Sequence, residues 1–467
     1  MLAALVAVVA AASCTGSPPE RDGGGPPGHP RATGPAGELE APDVSMRLVK
    51  LRISPVARHR VPPETLSEPA EAVRRSIEDL YRTAFVEPER WEDGDYARLF
   101  SHFSAAARER ARNDLDILTL GAAAAEVDVV QPTRAILKLE FLLDRHDRPL
   151  VAFAETEFEA TAISGETGSP ITHRAHYVFR RLNGAWRIDS YEIRGRIPRP
   201  AQGRTETGEV SFAPGVPGSD PLNVLVIGSD ARPGQPVMRT RADSIHILSV
   251  DPRSGRASVL GIPRDSWVPI RSHGTNKINA ALFYGGPPLL VDTVERLSGV
   301  RIDSYLLTGF WGFSQMVDAV GGVEITIPYP VNLAEVNIRK GPQRIDGRRA
   351  LAFARARKSV PGGDLGRSLN QGRVLVAALA TLRRQASRGP AALLPWIIAG
   401  ARHIHTDVKL DDLFALALAA TTFEPRRVRN EVASGRTDSI GGTSVVLLDA
   451  NARATFRDLA RDGVLDS

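Results

Sequence analysis

Apolar residues follow two different spacings along this chain. In EPAEAVRRSIEDLYRTAFV they recur at intervals of three and four from Val73 to Ala84, which predicts a helix. A second stretch of helical spacing follows, GDYARLFSHFSAAARERARNDLDILTLG. The next runs, AEVDVVQ, RAILKLEFLLDR and LVAFAETEFEATAI, are typical of strands, and a final pair with Asn183-Gly184 between them favours a tight hairpin. Residues 68–197 are therefore predicted to form a small α+β domain.

The order of these elements resembles a known fold. Helices that precede a curved antiparallel sheet are similar to the cone-shaped fold of the nuclear-transport-factor-2-like (NTF2-like) superfamily. No catalytic chemistry is predicted in this domain, because its histidines are scattered and none has a carboxylate at a convincing spacing. These histidines are His102, His146, His173 and His176.

The second half of the chain alternates strands with helices. PLNVLVIGSDAR, DSIHILSVD and ASVLGIPRD are apolar runs of the kind found in buried strands, and later stretches such as NQGRVLVAALATLRRQA have helical spacing. The fold class predicted for residues 221–467 is α/β, with helices layered on a sheet. Gly- and Pro-rich stretches flank the first domain and predict a disordered or extended spacer over 15–67 and a linker over 198–220.

Composition and the N-terminus add a cellular location. The 467 residues contain 59 Lys+Arg and 54 Asp+Glu, and no basic block with interleaved aromatics indicates a nucleic-acid binder. MLAALVAVVAAAS is too short to span a bilayer and precedes Cys14, the single cysteine. Because AASC resembles a bacterial lipobox, residues 1–14 are predicted to be a signal peptide with Cys14 as the lipidation site; an uncleaved anchor is the alternative. Either predicts an extracytoplasmic protein attached to the outer face of the membrane.

Charged residues collect at the ends of the apolar segments in the second half. Ligands of open α/β sheets bind beyond strand ends, so these residues are candidates for one site. Arginine forks match phosphate oxygens and paired carboxylates hold hard divalent cations, a combination that favours phosphoryl transfer. Signatures of other enzyme classes, such as a Walker A loop or a GxSxG elbow, are absent from the sequence. The candidates are Asp230, Arg241, Asp243, Arg264, Asp265, Lys277, Arg355, Arg357, Asp364 and Arg367.

Five segments, in this order and spacing, resemble the LytR-CpsA-Psr family of cell-wall glycopolymer transferases. The resemblance implies an α/β/α layered domain with a central mixed sheet. It also implies transfer of a glycopolymer from a polyprenyl-pyrophosphate carrier to a peptidoglycan hydroxyl, with a phosphodiester as the product and Mg²⁺ or Mn²⁺ as the cofactor. The segments are VLVIGSDAR, RADSIHILSVDPRSGRASVLGIPRDSWVPI, KINAALFYGG, GFSQMVDAVGGVEITIP and IDGRRALAFARARKSVPGGDLGRSLNQGR.

The same resemblance implies roles for individual residues. Asp230 and Asp243 are expected to bind the metal, and Asp243 is expected to act in catalysis with Arg241 and Arg264. Asp265 is expected to orient Arg264. The residues expected to contact the pyrophosphate are Arg241, Arg264, Lys277, Arg355, Arg357, Asp364, Arg367 and Gln371.

This chain departs from the family's motif at one position, and the resemblance also implies a tunnel for the polyprenyl tail. Many members have a basic residue where this chain has Asn370, so the change either weakens headgroup binding or is a harmless surface variation. A polyprenyl tail requires an apolar tunnel, and plain core is the alternative reading of each candidate lining residue. These candidates are Phe283, Phe310, Phe313 and Leu375.

Two other functions remain open at this point. A pyrophosphatase would use the same arginines and metal, with water as the nucleophile. A non-catalytic binder of anionic lipid or glycan would need no metal and would form no covalent product.

Overall fold

A computed structural model of the chain describes residues 44–466, apart from 58, 60, 88–95, 200–203, 213–220, 233–234, 410–412, 414–415, 418 and 422. The predicted signal peptide, Cys14 and most of the predicted spacer lie outside the described residues. Within the described part, no helix combines the length and the apolar character needed to cross a bilayer.

The first domain packs helices against a six-stranded sheet with the strand order β1-β2-β3-β4-β5-β6. β1 and β2 are parallel, and every later pair is antiparallel. The helices are α1 (Ser67–Tyr81), α2 (Ala97–Ser101), α3 (Ala105–Asn113) and α4 (Leu115–Leu118). The strands are β1 (Arg47–Pro55), β2 (Val129–Leu143), β3 (Pro149–Ser164), β4 (Thr167–Leu182), β5 (Ala185–Arg199) and β6 (Arg204–Phe212).

The predicted hairpin is confirmed, and several predicted boundaries need correction. Asn183 and Gly184 have φ of 50° and 81°, the left-handed pair that a tight β4–β5 turn requires. β1 lies inside the predicted spacer, and β6 lies inside the predicted linker. Most side chains of β1 are exposed, so this edge strand is held by its pairing with β2. Val49, Leu51 and Ile53 alternate with polar residues, a strand signal that the prediction of a spacer overlooked. The likeness to the NTF2-like fold stays a prediction.

The second domain is built on a mixed six-stranded sheet with the order β17-β12-β7-β8-β9-β18. The six strands of this sheet are β7 (Leu222–Ser229), β8 (Ala242–Asp251), β9 (Arg256–Gly261), β12 (Ser304–Gly309), β17 (His405–Thr406) and β18 (Val428–Val432). Two-stranded ribbons are formed by β10 (Trp267–Ile270), β11 (Gly274–Lys277), β13 (Val323–Ile327), β14 (Val331–Leu333), β15 (Val336–Ile338), β16 (Gly341–Ile345), β19 (Gly435–Ile440) and β20 (Thr443–Leu448).

Helices cover both faces of this sheet, which explains why a central strand such as β7 has consecutive apolar residues. On β7, Val224 and Val226 belong to one core, whereas Leu225 and Ile227 belong to the core on the opposite face. The predicted α/β/α layering and mixed sheet are confirmed. The helices are α5 (Ala280–Ser298), α6 (Phe310–Ala319), α7 (Gly347–Arg355), α8 (Gly363–Ala386), α9 (Leu394–His403) and α10 (Ala450–Asp462).

Two buried histidines couple stability to pH. His173 shares a hydrogen bond of 2.8 Å with the Tyr81 hydroxyl in the first domain, and His246 on β8 lies 3.0 Å from the Ser368 carbonyl oxygen. Burial lowers the pKa of His173 from 6.5 to about 3 and the pKa of His246 from 6.5 to about 4. Both side chains therefore stay neutral in the folded chain at pH values where the unfolded chain takes up protons.

We expect the free energy of unfolding to be greatest above pH 6.5 and to fall as the pH decreases below it. Each histidine should contribute a slope of about 1.4 kcal/mol per pH unit. Urea unfolding between pH 7 and pH 5 should give a shallower slope for His173→Gln and for His246→Gln. The exposed His273, changed to Gln, is the matched control. A wild-type slope in both buried variants would contradict the prediction.

Candidate active site at the end of the central sheet

The predicted charged residues meet at one edge of the sheet. Because β7 and β8 are antiparallel, Asp230, which follows β7, lies beside the start of β8. The Asp230 amide donates to the Arg241 carbonyl oxygen and the Arg241 amide donates to Asp230 Oδ1, both at 3.1 Å. β9 is antiparallel to β8, so the chain beyond its end brings Arg264 to the same edge.

A bulge in β8 sets the direction of the Asp243 side chain. Gly228 pairs with Ser244 and Ser229 pairs with Ala242, which leaves Asp243 as an extra residue between two regular pairs. Such bulges re-aim a side chain out of the regular alternation and are common beside active sites. The Asp243 carboxylate is thereby free to pair with Arg264, and their side chains form a short ion pair.

Lys277 and Asp265 extend this pair into a small network. Lys277 Nζ lies 3.1 Å from Asp265 Oδ1, and Asp265 Oδ2 lies 3.6 Å from Arg264 Nε. Asp265 therefore neutralises part of the charge of Arg264 without a hydrogen bond to its Nε, and its orienting role stays a prediction. Lys277 acts on Arg264 through Asp265.

A second charged group comes from the start of α8. Asp364 Oδ1 lies 2.8 Å from Arg367 Nη2 and 3.2 Å from Arg357 Nη2. Arg367 is buried, with 4% of its surface exposed. Burial lowers the pKa of Arg367 to about 10, the attraction of Asp364 opposes that change, and the like charges of Arg357 and Arg264 lower it further.

The two charged groups form one electrostatic site. Burial alone would lower the pKa of Arg264, but attraction to Asp243, Asp265 and Asp364 raises it above its usual value. Arg264 thus interacts with Asp364 on α8 as well as with its immediate partners. Cations that are largely removed from water and shared among carboxylates can exchange those partners for an incoming phosphate.

Gln371 connects α7, α8 and β8 through the hydrogen bonds of its side-chain amide, which is directed at the main chain. Its side chain is 5% exposed, and its Nε2 donates to the carbonyl oxygens of Ala354 at 3.1 Å and Asp243 at 3.3 Å. The predicted contact of Gln371 with pyrophosphate is therefore corrected to a positioning role between α7, α8 and β8. The bond to Ala354 also brings the end of α7, with Arg355, to the site.

Of the two alternatives left open for Asn370, a harmless surface variation is wrong. Asn370 is fully buried, and its Oδ1 accepts hydrogen bonds from the Tyr329 hydroxyl at 2.8 Å and from Arg373 Nη1 at 2.7 Å. The side-chain amide of Asn370 therefore makes structural contacts with Tyr329 and Arg373.

The four predicted tunnel residues lie in different surroundings. Phe283 is 55% exposed, and the Arg355 guanidinium carbon lies 4.7 Å from the ring centroid of Phe310. Phe313 and Leu375 are buried in the core on the α8 face of the sheet, which fits the alternative reading of plain core. Helical periodicity marks apolar faces but does not separate a packed core from a cavity wall, and the tunnel stays a prediction.

A narrow apolar pocket with a cavity volume of about 20 Å³ lies on the α8 face of the sheet, and Leu416, Ala419, Ala420 and Phe423 form part of its wall. α8 connects the charged site to this pocket, because Arg367 and Gln371 lie in its first half and Leu379 lines the pocket. A helical rise of about 1.5 Å per residue places Leu379 roughly 12 Å beyond Gln371. The lining residues are Leu248, Val250, Ala257, Val259, Leu379, Leu416, Ala419, Ala420, Phe423 and Val428.

The predicted metal ligands suit an ion that is mostly coordinated by substrate. Among the described residues, no three His, Cys, Asp or Glu side chains group closely enough to hold a metal by themselves. Mg²⁺ is commonly bound through one or two carboxylates together with substrate phosphates and water. Asp230 and Asp243, side by side at the sheet edge and only partly buried, fit that kind of site.

Comparison with known sequences decides the family. The sequence profile described as the LytR_cpsA_psr family matches residues 199–461, more than half of the chain. The chain belongs to this family. The resemblance read from the five sequence segments is thereby confirmed.

Relatives of this LytR_cpsA_psr protein have names from cell-wall synthesis. The polyisoprenyl-teichoic acid–peptidoglycan teichoic acid transferase TagU of Oceanobacillus iheyensis is 35% identical over 203 residues, 42% of this chain and 62% of TagU. The probable cell wall biosynthesis protein LcpB of Corynebacterium glutamicum is 41% identical over 173 residues, 34% of this chain and 41% of LcpB. The chain thus spans about half the length of these curated relatives. Among solved structures, Bacillus subtilis TagV is 26% identical, covers 52% of this chain and 97% of its own, and has a TM-score of 0.46.

Sequence reasoning missed two features of this LytR_cpsA_psr site. The first is the bulge at Asp243, which the sequence RADSIHILSVD does not indicate. The other is the wall of the pocket, much of which comes from strand positions such as Leu248 and Val259 that had been assigned only to the buried sheet.

A glycine in the first turn of α8 is predicted to be essential for packing. A Cβ at Gly366 would overlap the carbonyl oxygen of Pro361 and the side chain of Val360. We expect Gly366→Ala to lower the free energy of unfolding by about 2 kcal/mol, despite the better helix propensity of alanine, and to displace Asp364 and Arg367. Denaturant unfolding measures the change. Equal or greater stability of the variant would contradict this packing argument.

Proposed function

We propose that this LytR_cpsA_psr protein transfers a glycopolymer from a polyprenyl-pyrophosphate carrier to a hydroxyl of peptidoglycan. The hydroxyl oxygen attacks the phosphorus that bears the glycan, and the bond from that phosphorus to the bridging oxygen breaks. A phosphodiester forms between glycan and wall, polyprenyl phosphate leaves, and the hydroxyl proton passes to a carboxylate. The names of TagU and LcpB support this assignment for the matched part of the chain.

One observation carries the proposal: a cluster of arginines and carboxylates and an apolar pocket lie along the same helix. A polyprenyl pyrophosphate has these two parts, an anionic head and an apolar tail. Arg264 and Arg367 are partly or fully buried, so their attraction for phosphate is screened less than that of surface arginines. The pocket, once widened from its volume of about 20 Å³, would offer Leu379 and its apolar neighbours to the tail.

The arginines are proposed to stabilise charge that develops on the pyrophosphate. In the absence of substrate, Asp243 neutralises Arg264 and Asp364 neutralises Arg367. An incoming pyrophosphate competes for both guanidiniums, which releases the carboxylates of Asp243 and Asp364. We infer that Asp243 then accepts the proton of the attacking hydroxyl. The exposed Arg241 and Arg355 are proposed to bind the outer oxygens of the pyrophosphate.

Mg²⁺ or Mn²⁺ is proposed as the cofactor, with Asp230 and Asp243 as its protein ligands. When bound, the ion would neutralise phosphate charge and so favour departure of the polyprenyl phosphate. Asp230 keeps its place through the paired backbone contacts with Arg241. Titration of the full chain with Mn²⁺, followed by electron paramagnetic resonance, should show binding that Asp230→Asn weakens.

The deciding experiment supplies the full chain with a polyprenyl-pyrophosphate oligosaccharide, Mg²⁺ and a peptidoglycan acceptor. Mass spectrometry of the acceptor should show a phosphodiester-linked oligosaccharide, and chelation by EDTA should abolish it. Phosphate release that is the same with and without acceptor would assign a pyrophosphatase. Tight carrier binding with no product, unaffected by EDTA, would assign a non-catalytic binder.

The extracytoplasmic location and the lipid anchor are part of the same proposal. A carrier in the membrane and an acceptor in the wall are both reached from the outer face of the membrane. We propose that Cys14 bears the lipid. Mass spectrometry of the protein purified from membranes should find diacylglycerol on Cys14, and Cys14→Ala should release the protein from the membrane fraction.

A further inference from the structure

Four arginines surround a second pocket, at the end of the sheet opposite the candidate active site. The pocket, of about 310 Å³, is lined by Arg256, Arg426, Arg427 and Arg429, and we call it the arginine patch. β18 runs parallel to β9 with Val428 opposite Ala257, so the arginines on the two strands are neighbours. β9 spans roughly 20 Å, and Arg264 lies beyond its other end.

The positive charge of the arginine patch is only partly neutralised by nearby carboxylates. Arg256 lies 3.5 Å from Asp466 and donates to the Leu465 carbonyl oxygen. Among the described residues, no carboxylate lies within 4.0 Å of the guanidinium groups of Arg426, Arg427 or Arg429, and all three are exposed. Like charges held together in one pocket repel one another, and a phosphate or similar anion removes that repulsion while it fits the guanidinium fork.

The arginine patch borders the apolar pocket. Val428, between Arg427 and Arg429, lines the apolar pocket, as does Ala257, which follows Arg256. The order along β9 is therefore the arginine patch, the apolar pocket and then the candidate active site. An apolar cavity with a rim of exposed cations is chemically matched to a bilayer surface, where acyl chains lie directly beneath anionic headgroups.

We propose that the arginine patch docks on the anionic phospholipid headgroups of the membrane, so that the near end of the apolar pocket faces the bilayer. This orientation lets a polyprenyl tail enter the pocket from the membrane while its pyrophosphate reaches Arg264. The description of the tail rests on the proposed function, whereas headgroup docking does not. A wall polymer rich in phosphate is the competing ligand for the arginine patch.

The test uses the full chain and vesicles of phosphatidylglycerol mixed with phosphatidylcholine, with pure phosphatidylcholine vesicles as the neutral comparison. The variant carries Arg426→Gln, Arg427→Gln and Arg429→Gln together. The matched control carries Arg75→Gln, Arg301→Gln and Arg348→Gln, whose side chains are 67%, 81% and 68% exposed. Both sets remove the same charge, and the N-terminal apolar segment is common to all proteins compared.

Partitioning to the anionic vesicles, measured by co-sedimentation, should fall roughly 100-fold in the patch variant and should stay at the wild-type level in the control, since each basic residue near an anionic surface strengthens binding about fivefold. Binding to neutral vesicles should be equal in all three. Equal loss in both variants, or no loss in the patch variant, would overturn the proposal. Retained vesicle binding with lost binding to soluble poly(glycerol phosphate) would overturn it in favour of the wall polymer.

The outcome is independent of catalysis. Transfer from a detergent-dispersed donor does not require a bilayer, so the patch variant should retain it even where vesicle binding is lost. If wild-type protein gives no transfer but still binds anionic vesicles through the arginine patch, the proposed function fails and the docking surface stands.

Discussion

Replacement of Arg264 by alanine is expected to lower the rate of glycopolymer transfer by about 10³-fold, the size of effect seen when a key charge-stabilising group is removed from a phosphoryl-transfer site. Arg264 pairs with Asp243 and also interacts with Asp265 and Asp364. Its loss removes a phosphate ligand and leaves Asp243 as an uncompensated negative charge that repels pyrophosphate. Rate measurements at saturating donor, with the linked product quantified by mass spectrometry, provide the test.

Two further variants separate the guanidinium fork from its charge and from its orientation. Arg264→Lys keeps the charge but loses the fork, so only a small part of the activity should return. Asp265→Asn keeps Arg264 and weakens its orientation, and a loss of about tenfold in kcat with little change in stability is expected. Transfer by Arg264→Ala within threefold of the wild type, in a variant that remains folded by circular dichroism, would show that the pyrophosphate binds elsewhere.

The sequence was informative where chemistry coincides with the end of a regular element. Asp230, Asp243 and Arg264 follow or begin apolar strands, and antiparallel pairing brings such ends together at one edge. Residue type alone could not show that the Gln371 amide is occupied by two carbonyl oxygens or that Asn370 is buried. Those outcomes depend on how α8 seats against β8, which is a matter of tertiary packing.

Fold class was predictable for a similar reason, and domain limits were not. Runs such as VLVI on β7 are apolar on both faces, which indicates a sheet covered by helices on each side. β1 was missed although Val49, Leu51 and Ile53 alternate with polar residues, because it follows a long Gly- and Pro-rich stretch and was assigned to the same spacer. Its pairing with β2 could not be read from the sequence.

Narrowing the apolar pocket is expected to discriminate between carriers by the length of their tails. Ala257 lines the pocket from β9, opposite Val428, and is 4% exposed. In Ala257→Phe the ring would fill the pocket, which a tail must widen from its volume of about 20 Å³, and the loss of several buried CH₂ groups should weaken binding of a long-chain polyprenyl pyrophosphate about 100-fold. Farnesyl pyrophosphate, which presents the same head on a short tail, should bind the variant and the wild type with similar affinity. Isothermal titration with both ligands gives the comparison.

A core variant distinguishes a tunnel wall from ordinary packing. Leu375→Ala removes a fully buried side chain on the same face of the sheet, one that does not line the pocket. It should lower the free energy of unfolding by about 3 kcal/mol and leave the ratio of long-chain to short-chain affinity unchanged. If Ala257→Phe weakens both ligands equally, the pocket is a packing defect in the core and the tail binds elsewhere. A selective loss of the long ligand, with stability retained, would locate the tail along α8 and would explain why one helix carries both the arginine cluster and the apolar wall.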